Sequence, residues 1–258
     1  MIKKLQSTIQ TNRPAIAAIV ILLLVWELIC VTGLVPGYML PSPTDVLKAF
    51  AGDATILWQN ALVTLQEAIY GLLFGILLGF IIAVLMDMFD VLYKALYPIL
   101  VISQTIPAVA IAPLLVLWFG YEMKPKIILV VISSFFPLTV GLLQGFRSVD
   151  EDSINMLKTM GAGQLKIFRY IKLPSSLPQF FSGLRIAAAY SVVGAVISEW
   201  LGGFSGLGVY MTRVKKAYAF DKMFAVIILI SLVSLLLMLV IEILEKTAMP
   251  YLRITQEE

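Results

Sequence analysis

The chain is expected to be an all-α integral membrane protein with six membrane-spanning helices, and two observations predict that class. Hydrophobic residues fill 60% of its 258 positions and charged residues only 14%, giving a mean hydropathy of +0.96; a soluble domain carries about 25% charged residues. The apolar residues also gather into runs near the roughly 20 residues that a helix needs to cross a hydrocarbon core of about 30 Å. These runs lie near 15–34, 62–86, 96–119, 127–146, 184–201 and 224–244, and together they read as one transmembrane domain over 1–258.

Lys3, Lys4 and Arg13 precede the first run as they would in a secretory signal. Its apolar core is too long for that, and no small-residue cleavage pattern follows, so a retained span is expected. Cys30, the single cysteine, lies inside this run, which rules out a disulfide framework and makes it a small buried hydrophobe. Leu28 and Ile29 stand where a lipid-attachment site would carry small residues. Next, Ser42-Pro43-Thr44-Asp45 starts a short outer helix with Ser42 or Thr44 as cap and Val46, Leu47 and Phe50 as its apolar face.

Gly71, Gly75 and Gly79 recur every four residues along the second span, a small-residue stripe that lets helices approach closely. Pro98, Pro107 and Pro113 in the third span and Pro137 in the fourth predict kinked or interrupted helices, whose freed carbonyls need neighbours or cavity water. Polar residues lie in the same region. Ser103, Gln104, Thr105, Ser133, Ser134, Ser198 and Glu199 are therefore the candidates for lining a route through the membrane, with Glu199 close enough to an interface to be solvated. Glu27 and Glu67, near the outer ends of their spans, are expected to be solvated at the interface or salt-bridged, and no basic side chain is placed within a span.

With the N-terminus in the cytoplasm, twelve of the 19 basic residues face inward and seven outward, which favours both termini inside a plasma membrane. The longest cytoplasmic loop, 147–182, then contains the most charged interruption in the chain, Val149 to Pro178. Ile154, Leu157 and Met160 keep helical spacing, and Gly161-Ala162-Gly163 breaks the run. Leu165, Phe168 and Ile171 then form a second apolar stripe opposite Lys166, Arg169 and Lys172. Asp150, Glu151 and Asp152 suit the positive end of the first helix, and Leu173-Pro174 with Leu177-Pro178 are expected to end the second. Periodicity leaves two readings open: an amphipathic hairpin lying on the bilayer, or a docking element for a soluble partner.

Several functions are excluded. The basic residues form no stripe interleaved with aromatics, so nucleic acid is not a partner. No G-x-x-x-x-G-K-[ST] loop occurs, and a chain without histidine offers no H-E-x-x-H metal site or serine–histidine relay. It is not expected to be an enzyme.

The spacing of the interruption resembles the cytoplasmic "EAA" loop of permease subunits in binding-protein-dependent ABC importers of the type I fold. In that family Glu-Ala-Ala precedes a glycine and a hydrophobic-x-Leu-Pro follows; here Asn155-Met156-Leu157 precedes Gly161, and Ile171-Lys172-Leu173-Pro174 follows. Leu40-Pro41-Ser42-Pro43, Ile106-Pro107-Ala108, Trp118-Phe119-Gly120, Phe146-Arg147-Ser148-Val149-Asp150 and Gly206-Leu207-Gly208 are similar to the nitrate, sulfonate, taurine and thiamine-precursor branch. Glu67 departs from that branch, which often carries a basic residue there.

The resemblance implies a transport subunit whose energy comes from a separate ATPase holding ATP and Mg. The coupling contact would comprise Asn155, Met156, Leu157, Gly161, Ala162, Gly163, Leu165, Phe168, Leu173 and Pro174. It also implies a homodimer in the lipid bilayer with two ATPase subunits, and an extracytoplasmic solute-binding protein that Arg213, Lys215 and Lys216 could receive. The expected solute is neutral or aromatic, such as a pyrimidine precursor of thiamine, with sulfonate, taurine or nitrate as the alternative. An ion-gradient-driven transporter is the competing class, and it lacks an acidic residue clearly at the centre of a span. A non-transporting scaffold would have no use for proline-broken spans beside polar clusters.

Overall fold

The computed structural model describes residues 2–249, and among the described residues there is no strand. The helices are α1 (Ile2–Val31), α2 (Pro43–Gly52), α3 (Ala54–Met88), α4 (Asp90–Ser103), α5 (Ala108–Phe119), α6 (Met123–Arg147), α7 (Glu151–Thr159), α8 (Gln164–Ile167), α9 (Leu173–Leu201), α10 (Leu207–Lys216) and α11 (Phe220–Ala248). A π-helical turn, Phe168–Lys172, joins α8 to α9.

Helices α3, α6, α8–α9 and α11 are each long and apolar enough to cross a membrane. The third predicted span is a broken pair, α4 and α5, bent by 97°. Pro107 explains the break: it has no N–H to continue the ladder, and it disfavours helical backbone at Ile106 before it. The chain closes α4 with short three-residue bonds, Gln104 N–H to Val101 O at 3.2 Å and Thr105 N–H to Ile102 O at 3.0 Å, and restarts with Pro107 capping α5. Pro98, Pro113 and Pro137 sit inside continuous helices, so of the four prolines only Pro107 interrupts a span. The first predicted span, 15–34, is shorter in apolar extent than expected, since the described apolar part of α1 is Ala17–Val31.

The chain divides into two compact units. In the unit formed by 1–58 and 210–229, Val46, Ala49 and Ala225 are buried beside Trp26, Phe50 and Phe224. Of the two predicted caps, Ser42 is the one used: its Oγ accepts from Asp45 N at 3.1 Å. Glu27 meets the first turn of α2 instead of solvent alone, accepting from Thr44 Oγ1 at 3.1 Å, where the helix dipole favours a carboxylate. Asp53 receives Lys222 Nζ at 2.7 Å and Tyr210 OH at 2.6 Å. Lys222 and then Tyr210 hold the Asp53 carboxyl below its ordinary range.

In the unit formed by 59–209 and 230–258, α6 is the central helix. The predicted glycine stripe packs against it: a side chain at Gly71 would collide with Val130, one at Gly75 with Ser134, and one at Gly79 would lie 3.1 Å from Thr139 Oγ1. On another side α6 meets α9 just as closely, because a Cβ at Gly141 would stand 2.7 Å from Gln179 O. These seams set the rotation of α3 and α9 about α6, and that rotation decides which polar side chains share a space.

Candidate functional site

The loop after α6 is built from local signals. Asp150 caps α7, accepting from Ser153 N at 3.3 Å, and Glu151 and Asp152 occupy the first turn. Gly161 ends the helix at φ +81°, a left-handed conformation that glycine adopts without Cβ strain. Gly161 N–H reaches Lys158 O at 3.0 Å and Ala162 N–H reaches Leu157 O at 3.0 Å, which together form a Schellman cap.

The second half of the loop departs from expectation. Leu173-Pro174 and Leu177-Pro178 do not end a helix, because the chain runs from Gln164 to Leu201 as one span-length helix. The π-turn makes this possible. Leu173 N–H bonds back five residues to Phe168 O, and Pro174, which has no N–H, falls where the hydrogen-bond register changes. The loop is thus the near end of a continuous helix of 38 residues, about 57 Å long.

Two contacts brace that helix. The Phe168 ring meets Phe146 edge-on with centroids 5.2 Å apart, and Lys172 Nζ contacts both Asp87 carboxylate oxygens at 2.8 Å. Among the coupling candidates, Asn155, Met156, Gly161, Gly163, Leu165 and Pro174 lie exposed. Leu157 and Ala162 are half-buried, while Phe168 and Leu173 pack inward against the cluster around Phe146. Met160 and Leu165 are 74% and 77% exposed, too much apolar surface for a loop whose only environment is water.

A groove runs along the joint of α6 and α9. Toward the loop end it holds a cavity of 360 Å³ lined by Gln104, Phe136, Gln144, Gln179, Ser182 and Tyr190, among others. Further along lies a second cavity of 260 Å³ lined by Ser103, Gln104, Pro107, Ser133, Tyr190 and Ile197, among others. From Gln179 to Ile197 the lining stripe on α9 covers about 27 Å, close to the thickness of a hydrocarbon core. No lining residue of either cavity carries a charge.

Of the seven predicted path residues, the structure brings Ser103, Gln104 and Ser133 to this groove. Thr105 is exposed and donates to Ile102 O within its own turn. Ser134 faces the glycine seam at Gly75, and Ser198 is buried. Sequence reasoning missed Gln144, Gln179, Ser182 and Tyr190. Gln179, Ser182 and Tyr190 fall on one face of α9 at intervals of three and eight residues and Gln144 comes from α6, so the pattern is visible only once those faces are known.

Glu199 does not reach solvent. It is 2% exposed, and its carboxylate accepts from Thr64 Oγ1 at 2.7 Å and from Gly208 N at 2.6 Å. Beside it, Glu67 Oε1 pairs with Lys126 Nζ at 2.7 Å, both side chains being almost wholly buried. Lys126 belongs to α6, so the expectation that no basic residue enters a span is corrected; its charge is tolerable there because Glu67 neutralises it. The cluster also holds the chain after α9. Asn60 Oδ1 accepts from Gly206 N at 2.8 Å, and Thr64 Oγ1 accepts from Leu207 N at 2.9 Å. Gly206, at φ +118°, lies so close to the Glu199 carboxylate that any side chain would collide with it.

Arg213, Lys215 and Lys216 are exposed in the last turn of α10, where cations suit the negative end of the helix dipole.

This all-helical fold, with a broken span, an uncharged groove and an apolar loop continuous with a lining helix, defines a membrane transport subunit. Residues 75–249 match the binding-protein-dependent transport system inner membrane component family, and the chain belongs to it. It is 41% identical over 217 residues to a "Probable ABC transporter permease protein" of Haemophilus influenzae, covering 84% of this chain and 89% of that protein. It is 36% identical over 231 residues to the formylaminopyrimidine transport permease protein ThiX of Halalkalibacterium halodurans, covering 89% and 92% of the two chains. Other relatives are named for riboflavin, taurine and aliphatic sulfonate transport. A chain of the MetNI methionine ABC transporter in inward-facing form superposes with a TM-score of 0.67 at 18% identity, covering 75% of this chain and 96% of that one. The fold is that of type I ABC importer permeases, which work with ATPase and binding-protein partners.

Proposed function

We propose that this chain, acting throughout its length as one permease domain, lines the solute route of an ABC importer and receives ATP-driven motion through the α7–α8 loop. The observation that carries this reading is the single helix from Gln164 to Leu201, one end of which bears the exposed Leu165 while its far side lines the groove. A push on the loop displaces the groove wall directly, because a continuous helix is stiff and the π-turn is braced by Phe146 and Asp87. ATP and Mg sit on the partner ATPase, present in two copies, and both termini of this chain face the cytoplasm.

The route is shared with a second copy. Ile186, Tyr190 and Val193 line the groove yet stay 50%, 50% and 47% exposed in one chain, surface that a homodimer would cover. The uncharged lining favours a neutral solute, and a pyrimidine precursor of thiamine agrees with both the groove and the formylaminopyrimidine relative. A sulfonate or nitrate ion would cross that lining without a counter-charge.

Purification of tagged permease tests the coupling surface. The wild-type chain should retain its ATPase subunit in mild detergent, and Met156→Asp with Leu165→Asp should release it while leaving the permease in the membrane fraction. Retention by that variant would refute the assignment. Calorimetric titration of the partner binding protein with a formylaminopyrimidine and with taurine decides the solute class.

A further inference from the structure

The two cavities of the groove share two lining residues, Gln104 and Tyr190. We propose that these two side chains form a selective constriction, through which a neutral planar solute passes by exchanging hydrogen bonds with the Gln104 amide and ring contact with Tyr190. The inference rests on the importer reading above.

Position supports it first. Tyr190 lies on α9 between the inner stripe that begins at Gln179 and the outer stripe that ends at Ile197, so a solute moving along the groove must pass its ring. Gln104 reaches the same point from another element. It occupies the gap between α4 and α5, where the 97° bend places it beyond the end of its helix. Backbone that has left a helix at membrane depth is tolerated where it faces a cavity, and this turn faces both.

Chemistry supports it next. An amide presents a donor pair and an acceptor with no charge, matching the paired donors and acceptors of an aminopyrimidine ring. Tyr190 adds an aromatic face at which a planar ring stacks and an alkyl sulfonate does not. Further inward, Gln179 lines the same cavity and adds a second neutral amide to its wall.

The test uses the complete transporter, reconstituted with its ATPase and binding protein in proteoliposomes, and radiolabelled formylaminopyrimidine or taurine as the probe. Gln104→Leu and Tyr190→Ala should each slow uptake of the pyrimidine about tenfold, the order of one lost hydrogen bond or ring contact. ATP hydrolysis stimulated by the loaded binding protein should stay within about twofold, and Tyr190→Phe, which keeps the ring, should recover most of the uptake that Tyr190→Ala loses. In a Cys30→Ser background, Gln104→Cys should react with a maleimide more slowly when the pyrimidine is supplied. Pyrimidine uptake unchanged in both variants overturns the constriction alone. Parallel loss of uptake and ATPase stimulation also overturns it, since that marks a structural role. A wild-type transporter that carries taurine and not the pyrimidine overturns the solute reading and, with it, this inference.

Discussion

Lys126 shows how much a single residue depends on partners far away in sequence. A buried ammonium without a counter-ion is too costly to keep, and here Glu67 Oε1 supplies one at 2.7 Å from another helix. Removing one member of a buried pair costs about 3–5 kcal/mol. Lys126→Met should therefore lower the thermal midpoint of the detergent-solubilised protein, and adding Glu67→Gln should recover part of the loss. An unchanged midpoint in the single variant would mean that the pair is not formed in solution. None of this was legible locally. Glu67 read as an acid either solvated at the interface or salt-bridged, and the structure makes it the latter; its partner could not be named, because Lys126 read as a loop lysine, 59 residues separate the two and no short-range pattern links them. Glu199 read as solvated because the groups that satisfy it, Thr64 and Gly208, come from a helix 135 residues away and from the first turn of α10 folded back over it.

At the scale of elements, local chemistry was readable wherever neighbours in sequence decide the outcome. The acidic start of α7 at Asp150, the break at Gly161 and an interruption among the prolines of the third span all depend on bonds within about five residues. The continuity through Pro174 was not readable, because a proline ordinarily stops a helix and only the register shift at Leu173 to Phe168 lets the chain continue. Gly161 carries the sharpest expectation at this scale. A β-branched residue there meets φ +81° at a cost of about 1–2 kcal/mol, so Gly161→Val should distort the turn without disturbing the spans. Proteoliposomes bearing this variant should hydrolyse ATP with little solute uptake, and wild-type uptake would remove the loop from the coupling path.

For the whole molecule, the question is where the outer partner lands. Arg213, Lys215 and Lys216 place three exposed positive charges on one turn of α10, and complementary charge governs encounter rates more than final affinity. Replacing all three with glutamate should reduce binding-protein stimulation of ATP hydrolysis about tenfold at low salt, with the difference shrinking as salt rises. Equal stimulation by both forms would assign these residues to the helix dipole alone.

By itself, the sequence determined that this protein lives in lipid, that its spans are helical with prolines that break or kink the third and fourth, and that a glycine-turned loop interrupts them; that only Pro107 breaks a span was decided by the fold. Hydropathy, capping and proline chemistry act over a few residues, so they are written in local order. Tertiary structure alone decided which of the polar residues share a groove, that Glu67, Lys126 and Glu199 close on one another, and that the loop is the end of a lining helix. Those outcomes depend on the rotation of each helix about its own axis. That rotation is set by the glycine seams against α6, where contact between distant segments replaces proximity in sequence as the deciding force.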